Sequence, residues 1–137
     1  MKYSGEVRPW GSFINLADNV KCTVKVMTLL PEQRLSVQYH RKRDQLYYAL
    51  EIGLIVSHTP GIFLSLKKKY ELKDLLEIWS TTSIDTKVYD IGAMFYFPAG
   101  CLHTCLNSTD ESIIFLDVAF GENDEEDIVR IIDRYGR

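Results

Sequence analysis

The stretch GAMFYFPAGCLHTCLN, residues 92–107, carries an apolar, aromatic run into a Pro-x-Gly turn and returns through one histidine, His103, set between Cys101 and Cys105. Imidazole moves protons near neutral pH and binds first-row divalent cations, so its neighbours decide what it does. Gly92, Pro98, Gly100, His103 and Asn107 follow the spacing G-x5-P-x-G-x2-H-x3-N, the pattern of a strand, a shaped turn and a returning strand that starts at the histidine. In an extended segment Cys101, His103 and Cys105 share one side. A Cys-x-His-x-Cys zinc site is one reading, and inward packing residues are the more ordinary one. A second histidine, His40, lies in SVQYHRKRDQLYYALEIG, residues 36–53, directly before Arg41, Lys42 and Arg43. That basic cluster is either a solvated hairpin tip or an attractor for phosphate. His40 and His103 are either core histidines satisfied by hydrogen bonds or a facing pair. His58, beside the turn in SHTPG, reads as surface.

The elements that must position these residues are mostly strands. CTVKVMTLL, RLSVQYH, QLYYALEIGLIVSH, GAMFYFPA and SIIFLDVAFG are short runs rich in Val, Ile, Tyr and Phe, bounded by turn formers, and several alternate apolar with polar. Their spacing suggests an all-β sandwich or barrel. KKKYELKDLLEIWS, residues 67–80, differs: Tyr70, Leu72, Leu75, Leu76 and Trp79 recur near a helical period, which predicts a short amphipathic helix, with a charged hairpin as the alternative. NDEEDIVRIIDRYGR closes the chain with acids first, Ile128, Ile131 and Ile132 at helical spacing, and bases last. That order complements a helix dipole and predicts a short C-terminal helix.

A chain of 137 residues, 46% hydrophobic, is expected to form one domain over residues 1–137, with any site inside it or across a homo-oligomeric interface. A formal net charge of −3 and a pI near 5.6 give no general attraction to nucleic acid or anionic membrane. No stretch approaches the roughly 18 uninterrupted apolar residues of a membrane span, and the start lacks a signal-peptide pattern. A cytoplasmic protein with reduced thiols is expected, since three cysteines make a poor disulfide framework.

The Gly92-to-Asn107 spacing resembles the second motif of the cupin superfamily, and SVQYHRKRDQLYYALEIG matches the first, with His40 in the place of its second histidine and Gln38 in the place of its first. Gln-x-His is the form seen in phosphomannose isomerases. RPWGSF, residues 8–13, looks like the opening motif of the type II enzymes, often fused behind a mannose-1-phosphate guanylyltransferase. VKVMTLLPEQRLSVQYH resembles their V-K-x-I-x-V-x-P-G-x-x-L-S-L-Q-x-H, with Lys25, Pro31, Leu35, Ser36, Gln38 and His40 in place and Glu32 where glycine is usual. EEDIVRIIDRYGR is similar to their closing E-D-D-I-x-R-x-x-D-x-Y-G-R. Residues 58–91 have no counterpart. Where the family reads H-H-R-A-E-H-W, this chain reads Arg41, Lys42, Arg43, Asp44, Gln45, Leu46 and Tyr47, and Thr104 replaces an arginine after the second-motif histidine.

The resemblance implies a small antiparallel double-stranded β-helix, the cupin barrel, closed by the C-terminal helix and paired as a homodimer. It implies a divalent metal, zinc, manganese, iron or nickel, on Gln38, His40, Gln45 and His103, a set without an anion and so of reduced affinity. A one-residue shift would offer Asp44 in place of Gln45, but LYYALE fits better with Gln45 in the glutamate position. The implied activity is interconversion of mannose 6-phosphate and fructose 6-phosphate, with Arg43 and Lys25 orienting the sugar phosphate and stabilising charge, Asp117 as base, and Arg137 as a further pocket residue. The alternative is a non-catalytic cupin that binds a sugar or another small ligand at a degenerate metal site. The guanylyltransferase activity of fused relatives is not expected, because its nucleotide-binding domain and Gly-rich loop have no counterpart here.

Overall fold

A computed structural model of the protein describes residues 4–121 and 125–136. In chain order the strands are β1 (Ser4–Arg8), β2 (Gly11–Asn15), β3 (Cys22–Leu29), β4 (Val37–His40), β5 (Gln45–Ala49) and β6 (Leu54–His58), followed by helix α1 (Leu72–Thr82). Then come β7 (Ile84–Lys87), β8 (Met94–Phe97), β9 (His103–Asn107), β10 (Ile113–Phe120) and β11 (Ile128–Ile132). They form a β1–β2 hairpin, a four-stranded sheet in the order β3-β10-β5-β8, and a five-stranded sheet in the order β11-β4-β9-β6-β7. Every pairing is antiparallel. Among the described residues no helix is long and apolar enough to cross a membrane.

The two larger sheets face each other across one apolar cluster. Tyr47, Phe97, Phe115 and Ile113 come from the four-stranded sheet, and Leu54, Val56 and Cys105 from the other. Tyr47 meets the edges of Phe97 and Phe115 with ring centroids 5.0 and 5.2 Å away, the tilted geometry that aromatic quadrupoles favour. The five-stranded sheet is covered on its outer face as well. Val37, Tyr39, Leu102 and Ile131 pack there against Leu64 and Leu75, with Tyr70, Leu76, Ile78 and Trp79 around them. The segment 58–91, which was expected to have no family counterpart, thus supplies much of this cover. Its helix begins five residues later than the sequence period suggested, and the Tyr70 hydroxyl before it accepts the Ser65 backbone N–H. Thr81 and Thr82 end it by donating back to the Glu77 and Ile78 carbonyls.

The closing segment departs from the sequence reading. Residues 125–127 make a single 3₁₀ turn, and Ile128–Ile132 is strand β11, with no C-terminal α-helix among the described residues. Three isoleucines and a valine in five residues favour extended backbone, and the edge of β4 supplies partners: Ile128 pairs His40, Val129 pairs Tyr39 and Arg130 pairs Gln38. A register irregularity between Arg130 and Ile132 accompanies the isoleucine spacing that mimicked a helix.

The turn into β9 is held from three directions. Asp44 accepts the Ala99 N–H at 2.8 Å and the Tyr96 hydroxyl, Gly100 N–H donates to the His40 carbonyl at 2.8 Å, and Leu64 N–H donates to the Gly100 carbonyl at 3.0 Å. Gly100 has φ +89°, and a Cβ there would lie 2.6 Å from the Leu64 carbonyl oxygen. Gly61 also has positive φ, +70°, but nothing within 4 Å of the Cβ position. Gly61→Ala should therefore cost only the left-handed backbone penalty, about 1 kcal/mol. Gly100→Ala should cost that and the clash, about 3 kcal/mol together. Urea denaturation of both variants measures the difference, and equal costs would show that the Leu64 contact yields freely.

Candidate functional site

Register places the chemistry-bearing residues in two cross-strand rows that face each other. Across the four-stranded sheet, Phe95, Tyr47, Asp117 and Lys25 are successive partners on β8, β5, β10 and β3. Across the other sheet, Arg130, Gln38, His103 and His58 are successive partners on β11, β4, β9 and β6. Directly opposed residues of an antiparallel pair project to the same face, so one row sets its neighbours' direction. Lys25, Ser36, Gln38, Arg43, Gln45, Tyr47, Asp117 and Arg130 border one cavity of about 130 Å³. Ten of its eleven lining residues lie on or beside these rows or on the adjoining β3–β4 and β4–β5 segments, and the eleventh, Ile128, pairs with His40.

Gln45 stands at the back of that cavity, 2% exposed. Its Nε2 donates to Asp117 Oδ1 at 2.6 Å, which fixes the orientation of the amide, because the reverse would set two oxygens together. Its Oε1 then lies 2.6 Å from His40 Nε2 and 2.9 Å from His103 Nε2. His103 Nδ1 must carry a hydrogen, since it donates to the Cys101 carbonyl at 2.9 Å. Burial, then His40, drives the His103 pKa down to about 3, and burial followed by Arg43 drives His40 down to about 4. Both rings are neutral at pH 7. A neutral His103 with its proton on Nδ1 turns the Nε2 lone pair toward the Gln45 oxygen, so two acceptors confront each other where a cation would satisfy both. His40 Nδ1 is buried without a hydrogen-bond partner.

These donors suit a divalent metal. His40 Nε2, His103 Nε2 and Gln45 Oε1 converge as they stand. Gln38 is beside them but presents its amide nitrogen, 3.5 Å from His40 Nε2, while its Oε1 accepts the Ser36 hydroxyl at 2.6 Å. As a ligand it would need its amide reversed. Among the described residues no three His, Cys, Asp or Glu side chains gather as a metal group, in keeping with a site of two imidazoles and amides.

Other sequence expectations resolve one by one. Asp44 points to the turn at Ala99 and not to the histidines. Cys105 is in the core with its thiol pushed up by burial, and Cys101 Sγ faces the Thr59 and Leu102 carbonyls. His58 is not surface: it is half-buried, its pKa lowered by burial, its ring edge on Phe97, which itself stacks on His103 at 4.4 Å. Arg43 and Lys25 border the cavity, Asp117 beside them, whereas Arg41 lines a separate surface cavity with Lys67, Lys68 and Lys69. Arg137 lies outside the described residues. Thr104 faces away and donates to the Leu35 carbonyl. Arg130 and Tyr47 were missed. A strand reading of IVRII, in register with VQYH, would have found the arginine. Asp127, 4% exposed, accepts the Arg41 and Lys42 backbone N–H groups and so braces the tip that carries Arg43.

Comparison with known proteins agrees with the fold. The family described as Mannose-6-phosphate isomerase C-terminal matches residues 2–64. A mannose-1-phosphate guanylyltransferase of Escherichia coli K12 is 28% identical over 131 residues, 95% of this chain, and the chain spans 22% of that protein. Among solved structures, L-ribose isomerase of Cellulomonas parahominis superposes with a TM-score of 0.62 at 11% identity, covering 82% of this chain and 58% of its own. A 3,4-ketoisomerase of Thermoanaerobacterium thermosaccharolyticum, solved with TDP-4-keto-6-deoxyglucose, gives 0.60 at 14% identity, covering 94% and 83%. The facing antiparallel sheets and these structural likenesses give the chain a cupin-type β-barrel fold, and its sequence is similar to the Mannose-6-phosphate isomerase C-terminal family over residues 2–64 and to the part of the mannose-1-phosphate guanylyltransferase that it spans.

Proposed function

We propose that this cupin is a metal-dependent aldose–ketose isomerase acting on a sugar phosphate, mannose 6-phosphate and fructose 6-phosphate being the pair its resemblance favours. The observation that carries the reading is the convergence of His40 and His103 on Gln45, which lines a cavity bordered also by Lys25, Arg43 and Arg130. Against these three cations the cavity lining holds one carboxylate, Asp117, in a chain of net charge −3. That local excess suits a phosphate dianion.

A divalent cation held by His40, His103 and Gln45 would supply Lewis-acid polarisation of the substrate's carbonyl and hydroxyl oxygens. The side chains do the rest. Arg43 and Arg130 hold the phosphate, and Lys25, cross-strand from Asp117, offsets negative charge as it develops. Asp117 takes the proton from the carbon next to the carbonyl; the C–H electron pair forms the C=C bond of the enediol as the C=O π pair moves onto oxygen, the proton of the neighbouring hydroxyl passes to that oxygen as the new carbonyl forms, and the carboxyl returns its proton to the former carbonyl carbon. The Gln45 amide, donating to Asp117 Oδ1, orients that carboxylate. A second reading, a sugar-binding cupin without turnover, is favoured by one feature: the amide of Gln45 offers the histidines no anion.

Elemental analysis after chelator-free purification, joined to an isomerase assay on mannose 6-phosphate with and without added metal, separates the readings. A stoichiometric ion with turnover supports the enzyme. Neither one would leave the binding protein. In titration calorimetry with zinc, manganese and nickel, His103→Ala should weaken binding more than about a hundredfold, because losing even a ligand's supporting partner costs ~10–100-fold. Gln45→Glu should tighten it, while lowering metal-free stability by setting a second carboxylate against Asp117. Equal affinities in all three proteins would remove these residues from any metal site.

The neutral histidines also set an acid limit. Their folded pKa values lie below the ordinary 6.5, so the unfolded chain binds more protons, and stability is full above about pH 6.5 and lost as pH falls toward 4 and 3. At pH 5 each ring should cost about 2 kcal/mol relative to pH 7. Urea midpoints of the metal-free protein at the two pH values check this, and His103→Gln should flatten the dependence.

Self-association fits the same protein. The β1–β2 hairpin exposes Val7, Trp10 and Ile14, and the edge strand β3 exposes Val24 and Val26, apolar surface that a second copy would cover. Sedimentation at micromolar concentration should give a dimer mass, and a monomer would argue against it.

A further inference from the structure

Tyr47 is 1% exposed, yet its hydroxyl is buried without a hydrogen-bond partner at the wall of the cavity that Gln45 closes. The ring itself is fully engaged, edge-on to Phe97, Phe115 and His103. Such packing asks for a phenylalanine; a hydroxyl added to it strands a buried polar group, which natural folds avoid unless something meets it. Its place in the row is informative. Tyr47 is the cross-strand partner of Asp117, so the residue that carries the orphan hydroxyl and the acid border the same cavity from adjacent strands. A phenol is a neutral O–H donor near neutral pH.

We propose that Tyr47 is a ligand-contacting residue whose Oη–H donates a hydrogen bond to a hydroxyl or carbonyl oxygen on the carbohydrate part of the cavity's ligand. The inference rests on the sugar-phosphate reading above and adds to it a division of labour. The cations, Arg43, Arg130 and Lys25, recognise phosphate as charge. Tyr47 recognises oxygen on the carbon skeleton, beside the carboxylate that faces the reacting carbons. A phosphate monoester without such oxygens would meet the cations alone.

The test is Tyr47→Phe, which keeps the ring packing and deletes only the orphan hydroxyl. Calorimetry on the wild type and the variant would use two probes, mannose 6-phosphate and inorganic phosphate, with thermal melting of both proteins in the absence of ligand. The expected result is a loss of about tenfold in affinity for mannose 6-phosphate, the worth of one neutral hydrogen bond. Inorganic phosphate affinity should be unchanged, and the melting temperature unchanged or raised, because an unmet buried hydroxyl has gone. A residue needed only for structure gives the opposite pattern, a lower melting temperature with both affinities reduced, and that result overturns the assignment. So does an unchanged affinity for mannose 6-phosphate. If the wild type itself does not bind mannose 6-phosphate, the sugar-phosphate reading fails first and this assignment fails with it.

Discussion

One amide ties the two sheets together at the functional end of the barrel. Gln45 leaves β5 with its nitrogen on Asp117 of β10 in its own sheet and its oxygen on His40 of β4 and His103 of β9 in the facing sheet. A carboxylate in its place could not donate to Asp117, and a hydrophobic residue would strand two buried imidazoles away from water, where unmet polar groups are costly. The amide answers most of those demands. The one it does not answer is the lone pair of His103 Nε2, which stands against its oxygen.

Holding that amide in place requires the chain on either side of it to be rigid, and two acids, Asp127 buried and Asp44 half-buried, supply this. Asp127 binds the backbone N–H groups of Arg41 and Lys42, and Asp44 binds the Ala99 N–H and the Tyr96 hydroxyl. The first fixes the tip that leads from His40 to Gln45. The second joins that tip to the turn before His103. Because both acids accept from backbone donors at hairpin ends, they stiffen the approach to the site without adding charge to its interior. The outer face of the five-stranded sheet is stiffened by different means, through apolar contact of Val37, Tyr39 and Leu102 with Leu64 and Leu75 of the segment that covers it. Strands β4 and β9 are thus packed on both sides, chemistry within and hydrophobic cover without, and the histidines they carry have little freedom to turn.

The placement of the residues that border the cavity arises from register. Antiparallel pairing sets Lys25 beside Asp117, Asp117 beside Tyr47, and Arg130 beside Gln38, so residues as far apart in the chain as 25 and 117 become neighbours through backbone hydrogen bonds alone. A slip of one residue would turn each of them to the opposite face. The barrel therefore specifies its cavity at the level of strand pairing before any side chain makes a contact. Arg130 illustrates the dependence: the closing segment contributes a cation to the cavity only because it runs as a strand along β4.

The sequence by itself determined the strand periods and the Pro98–Gly100 turn, because these are local properties of short segments. The grouping of Gln38, His40, Gln45 and His103, and the preference for Gln45 over Asp44 in LYYALE, came from the family resemblance; strand pairing turns Gln45 toward the histidines and leaves Asp44 on the Ala99 turn. Tertiary structure alone decided the rest. Ile128, Ile131 and Ile132 carry a helical spacing, and only the unpaired edge of β4 turns that segment into β11. His58 stands beside an ordinary turn signal, and only its pairing with His103 brings it inside. Tyr47 reads as one more apolar strand residue until three aromatic neighbours enclose its ring and none meets its hydroxyl. In each case the deciding partner is far away in the chain, so the energy that selects the conformation has no trace in the local pattern.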